Sequence, residues 1–126
     1  MRERGGHSTV GGFKLKSRQW VVDDKDRIII GEGRSKILEN IEKTGSINKT
    51  AKMMKMSYKG VWSKIKTTER YMKMKLVETD KKRGSRLTPE GKELLEKYND
   101  LKRRCLKEDD KIFRSIFDQN KTWKKP

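Results

Sequence analysis

Within M-S-Y-K-G-V-W-S-K-I-K-T, residues 56–67, hydroxyl and ammonium groups recur at helical spacing as Ser57, Lys59, Ser63, Lys66 and Thr67. Placed ~100° apart, Val61 and Ile65 define one direction, while Lys59, Gly60, Ser63, Lys66 and Thr67 point away from it. That arc carries no acid and no large apolar group, and Gly60 would let a phosphate or base edge approach the backbone. Donors and cations on one helix face suit hydrogen bonding to base edges and phosphates in a major groove. Tyr58 lies near the buried direction by angle but at the helix tip by position. It is expected as a half-buried ring with its hydroxyl at the rim, within reach of DNA. Trp62 is expected at the edge of the core.

Other candidate contacts lie nearby in sequence. Asn48 and Lys49 suit a backbone phosphate, and Lys81, Lys82, Arg83 and Arg86 form a second basic cluster around Gly84. Between Asn48 and Arg86 thirteen Lys and Arg face three acids, whereas Lys92 to Arg114 holds eight basic and six acidic residues. The formal net charge of +16 is therefore concentrated in one block. Such a surplus is costly self-repulsion unless a polyanion neutralises it.

Catalytic and metal chemistry find little support. Asp23, Asp24 and Asp26 have no His, Ser or Cys nearby for general acid or nucleophilic work and are expected to be solvated in a turn. His7 stands alone, and Cys105 is the single cysteine, which excludes an intramolecular disulfide and fits a reducing cytoplasm. The methionines, notably Met53, Met54, Met56, Met72 and Met74, suit an adaptable core better than a metal site. No catalytic residue, metal ligand or cofactor is expected. The N-terminus has no apolar signal region, and no stretch approaches the ~18 apolar residues of a membrane helix.

These residues need elements to hold them. At 126 residues, 41% charged and 31% hydrophobic, one domain with a thin core is expected. Residues 1–12, with four glycines, read as a flexible arm. Between Phe13 and Ile30, alternating F-K-L-K-S and the β-branched runs around Asp23–Asp26 predict a hairpin, and G-E-G at 31–33 a plain loop. A helix follows from about Arg34 to Lys43, stopped by Gly45. Ser46 caps a short second helix carrying Ile47, Ala51 and Met54, and Ser57 caps a third running to about Arg70. Leu76–Thr79 and Ser85–Thr88 predict two strands around a basic tip. Thr88 and Pro89 then open a long helix to Phe117. Its Leu94, Tyr98, Leu101, Cys105, Ile112 and Ile116 have a 3,4-like spacing suited to pairing with a second copy.

The order is that of an α+β winged helix-turn-helix, with an N-terminal β-hairpin and a long C-terminal dimerisation helix. The expected division is a flexible arm over 1–12, the DNA-binding domain over 13–88, the dimerisation helix over 89–118 and a basic tail over 119–126. G-S-I-N-K-T-A-K-M-M-K-M-S-Y-K-G-V-W, L-V-E-T and R-L-T-P-E-G-K-E-L-L together resemble the N-terminal DNA-binding domain of the molybdate-responsive transcription regulators (ModE-type), itself similar to the LysR-type winged helix. W-V-V-D-D-K-D-R-I-I-I-G-E-G-R also matches that family's opening hairpin, so the resemblance covers about Leu15 to Tyr98. It implies a recognition helix over Ser57–Thr67, a supporting helix over Ser46–Lys55 and a wing over Leu76–Thr88. Two positions depart from the pattern: Lys55 stands where the turn often has Gly, and the wing tip has one Gly.

Relatives that sense molybdate carry a separate C-terminal oxyanion-binding region, so molybdate or another small effector is not supported by this chain. The expectation is a cytoplasmic, nucleoid-associated homodimer that binds double-stranded DNA and regulates transcription. The alternative is an architectural or weakly sequence-specific nucleic-acid-binding protein, suggested by overall charge alone.

Overall fold

The computed structural model describes residues 9–118, and the elements run β1 (Val21–Val22), β2 (Ile28–Ile30), α1 (Glu32–Thr44), α2 (Ile47–Met53), α3 (Tyr58–Met72), β3 (Val77–Asp80), β4 (Gly84–Leu87) and α4 (Pro89–Phe117). His7, most of the expected arm and the basic tail lie outside these residues. Two compact units divide the chain: residues 20–99, and residues 1–19 together with 100–126. Each strand pair is an antiparallel hairpin of its own.

In the larger unit, Ile30, Ile37, Ile41, Val61 and Leu76 are almost fully buried and form the centre of the core. The helix faces follow from sequence. Ile37, Leu38 and Ile41 bury one side of α1; Ile47, Thr50 and Ala51 bury α2; Val61, Ile65, Thr68 and Glu69 bury α3. Met54, Met56 and Met72 fill the margin of this core, whereas Met53 and Met74 are exposed.

Helix α1 begins earlier than expected, so Glu32 and Gly33 are helical rather than loop. Gly31 supplies an extended N-cap, and Glu32 places an acid in the first turn, where the helix dipole favours it. At the other end Gly45 takes the left-handed conformation that stops the helix.

The hairpin β1–β2 is also shorter than the expected span. Its turn is organised by Asp23, whose Oδ1 accepts from the backbone N–H of Lys25 and Arg27 and whose Oδ2 accepts from Arg27 Nε at 2.7 Å. Asp23 is thus a structural turn residue rather than a merely solvated one. The backbone N–H of Arg27, outweighing burial, and the Arg27 side chain hold its carboxyl below the usual carboxylate range.

Residues 13–19 form no extended strand and belong to the smaller unit. Their alternation is nevertheless physical: Phe13, Leu15, Ser17 and Gln19 are half-buried, while Lys14, Lys16 and Arg18 are exposed. Val10, expected in the arm, is buried and bridges Phe13. Ser17 Oγ donates to Asp109 Oδ2 at 2.8 Å, and Phe113 is buried in the same unit.

Candidate nucleic-acid interface

The interface is built from the turn between α2 and α3 outward. Ser46 Oγ accepts from Lys49 N at 3.0 Å and Ser57 Oγ accepts from Gly60 N at 2.9 Å, so each serine satisfies an otherwise unpaired N–H in a first helical turn. Helix α2 ends when Lys55 N donates to the Lys52 carbonyl and Met56 N to that of Ala51, with Lys55 at φ 56°. Those paired bonds normally favour glycine at the left-handed position. This turn therefore tolerates a lysine in a conformation that costs about 1–2 kcal/mol.

Helix α3 presents the arc read from the sequence. Ser57, Tyr58, Lys59 and Ser63 are exposed, while Gly60, Lys66 and Thr67 are half-buried. Asn48 and Lys49 are exposed on α2, and Lys81, Lys82, Arg83 and Arg86 are exposed on the second hairpin. Thr67 Oγ1 already donates to the Ser63 carbonyl at 2.8 Å. Arg70 and Lys64, not singled out from sequence, are also exposed on α3.

Trp62, expected at the edge of the core, is instead 44% exposed; Tyr58, in the first turn of α3, is 49% exposed, so about half of its surface is covered. Lys66 Nζ lies over the Trp62 ring, 5.3 Å from its centroid, and 3.2 Å from Glu69 Oε1. The lysine is consequently held by an aromatic ring and a carboxylate rather than extending freely.

Glu69 was not recognised from sequence as an organising residue. Its Oε2 accepts the backbone N–H groups of Leu76 at 2.8 Å and Val77 at 3.1 Å, pinning the start of β3 to α3. Burial favours the neutral acid, but these two N–H groups and Lys66 outweigh it and hold the carboxyl below its usual range. Nearby, Arg34 Nε donates to Thr68 Oγ1 at 2.9 Å, and that hydroxyl donates to the Ile29 carbonyl at 3.1 Å. This bridge ties α1 and β2 to α3. Burial, partly offset by Tyr71, lowers the Arg34 pKa.

The second hairpin pairs Val77 with Leu87 and Asp80 with Gly84. Arg86 meets the directly opposite Glu78 at 3.0 Å, and Lys82 N donates to Asp80 Oδ1 at 2.8 Å. Gly84, at φ 83°, would carry a Cβ only 2.4 Å from the Gly45 carbonyl oxygen, while Ser85 N donates to that oxygen at 2.8 Å. Glycine there lets the hairpin dock on the α1–α2 turn. The following L-T-P-E-G stretch makes a similar close junction. Thr88 Oγ1 accepts from Gly91 N and donates to the Lys75 carbonyl, and a Cβ on Gly91 would lie 2.2 Å from the Leu76 oxygen.

The residues expected to pair two copies are divided. Tyr98 is 2% exposed within the larger unit's own core and Leu94 packs against that core, whereas Leu101, Ile112 and Ile116 are exposed and Cys105 is half-buried. Among the described residues no helix is long and apolar enough to cross a membrane, and no cluster of three His, Cys, Asp or Glu could hold a metal.

Residues 34–92 match the family described as bacterial regulatory helix-turn-helix proteins of the lysR type. Over 74 residues the chain is 38% identical to the molybdenum transport protein ModE of Herbaspirillum seropedicae, a match covering 56% of this chain and 28% of that protein. The chain thus spans little more than a quarter of that relative's length. Its fold is similar to the CbnR DNA-binding domain in a crystal structure of its complex with DNA, with a TM-score of 0.56 and 19% identity over 66% of this chain and 94% of that one. The fold is a winged helix-turn-helix.

Proposed function

We propose that the LysR-type helix-turn-helix of residues 34–92 binds double-stranded DNA and makes this chain a transcription regulator. The observation that carries this reading is the outward face of α3. Its one acid, Glu69, is turned inward to the backbone of Leu76 and Val77, while Lys59, Ser63, Lys64 and Arg70 remain exposed.

In this reading α3 enters the major groove, with Ser57, Tyr58, Lys59, Gly60, Ser63, Lys66 and Thr67 near base edges or adjoining phosphates. Asn48 and Lys49 contact one backbone phosphate, and Lys81, Lys82, Arg83 and Arg86 follow the flanking backbone from the β3–β4 wing. Phosphate contacts set affinity and register, and base contacts set preference. Leu101, Ile112 and Ile116, exposed on α4, support pairing with a second copy. A twofold dimer would read half-sites ~34–36 Å apart or a multiple of that spacing. Such a regulator would act on the nucleoid in the cytoplasm.

Repeated selection from random duplexes tests the proposal. Enrichment of one sequence, especially an inverted repeat, is expected. Equal affinity for unrelated duplexes would favour the architectural alternative. Sedimentation of the free chain and of its complex tests the pairing, and monomers in both would remove it.

A further inference from the structure

We infer that Trp62 reads thymine through its 5-methyl group, an inference that rests on the DNA-binding reading above. Trp62 is a large apolar ring, 44% exposed, on the flank of α3 in a chain that is 41% charged. Scattered exposed hydrophobic residues are ordinary in soluble proteins. Several features set this one apart. Tyr58, one turn earlier and 49% exposed, is its neighbour on the same face, and Lys59 and Ser63 are exposed beside the pair. Lys66 lies over the Trp62 ring and is itself paired with Glu69, so a cation already sits against the ring.

The ligand chemistry follows from what a major groove offers. Its base edges present hydrogen-bond donors and acceptors, with the thymine methyl as the apolar group. A ring at the flank of a basic reading face gains from burial where it meets that methyl. The cations around it favour a duplex rather than an apolar protein surface as its cover. Trp62 would therefore add a preference for thymine that the lysines, which act mainly as point charges toward phosphate, do not provide.

The test begins with a duplex selected by the wild-type chain. Each thymine is then replaced in turn by deoxyuridine, which removes only the methyl, and affinity is read by fluorescence anisotropy at one fixed salt concentration. Burial of one methyl is worth ~0.8 kcal/mol, so one thymine in each half-site should lose affinity about fourfold when its methyl is removed. Trp62→Ala should bind the thymine and deoxyuridine duplexes equally, with an unchanged circular dichroism spectrum. Trp62→Phe should keep part of the preference. The inference is overturned if no thymine shows the effect, if the selected site has no thymine, or if Trp62→Ala retains the difference. If selection yields no preferred duplex, the reading as a sequence-specific regulator fails as well, and that outcome is distinguished by the absence of any site to substitute.

Discussion

Replacing Glu69 probes the junction between α3 and β3. Its carboxylate receives two backbone N–H groups and the Lys66 ammonium. In Glu69→Ala the amides of Leu76 and Val77 lose their acceptor while remaining buried, at about 1–3 kcal/mol each, giving an expected loss of ~2–6 kcal/mol. Glu69→Gln retains one carbonyl oxygen for those amides but turns an NH₂ toward Lys66, so a smaller loss of about 1–2 kcal/mol is expected. Urea unfolding followed by circular dichroism measures both. For a domain stable by only ~5–15 kcal/mol the larger loss is readily seen.

The pH dependence provides an independent check. The folded pKa of Glu69 lies below the ordinary value of 4.5. A depressed carboxylate contributes stability that is full above the unfolded pKa and is lost as pH falls through the folded value. The gap between wild type and Glu69→Gln should therefore be widest near pH 7 and close as the pH drops below about 4.5. A Glu69→Gln chain as stable as wild type at pH 7, with the same acid profile, would refute the anchoring role.

Three further perturbations are informative. Gly91→Ala should destabilise the fold by about 1–3 kcal/mol through overpacking, despite the ~1 kcal/mol by which Ala is otherwise the better helix former; the fixed obstacle is the Leu76 oxygen, 2.2 Å from the added Cβ, and thermal unfolding gives the sign. Lys55→Gly removes left-handed strain of about 1–2 kcal/mol but gives the unfolded chain ~0.5–1 kcal/mol more entropy, so urea unfolding should show a net gain of up to about 1.5 kcal/mol. Lys81→Ala with Lys82→Ala should weaken all duplexes alike and reduce the slope of log affinity against log salt by about 2, which a salt titration reads directly.

Local chemistry was the most legible part of the sequence. Ser46, Ser57 and Thr88 are capping residues at helix starts, Gly45 is a left-handed stop, and Val61 with Ile65 fixes the buried direction of α3. Each of these signals acts within a few residues. What was missed depends on the meeting of distant segments. Glu69 gains its role only where Leu76 and Val77 bring it their amides, and Thr68 only where Arg34 and Ile29 reach it. The alternation F-K-L-K-S predicted a strand that did not form, because a half-buried face does not by itself supply a ladder partner. Trp62 was misplaced because its angle lies at the boundary between faces, and Lys66 Nζ lies over the ring on that boundary.

The three acids in the basic block between Asn48 and Arg86 share a logic that charge counting obscures. Glu69 receives the first amides of the wing, Glu78 holds the opposite Arg86, and Asp80 accepts Lys82 N at the wing tip. Each has a local partner that organises the hairpin or its anchorage. On Coulombic grounds alone, removing any one should strengthen attraction to a polyanion. If Glu69 positions the wing, its neutralisation should separate two quantities that net charge would move together: affinity for unrelated duplexes should hold or rise, while discrimination in favour of the selected duplex should fall. Parallel titrations of Glu69→Gln against both duplexes decide the matter. An equal rise in both affinities would show that the carboxylate acts only through its charge and that wing placement has no part in discrimination.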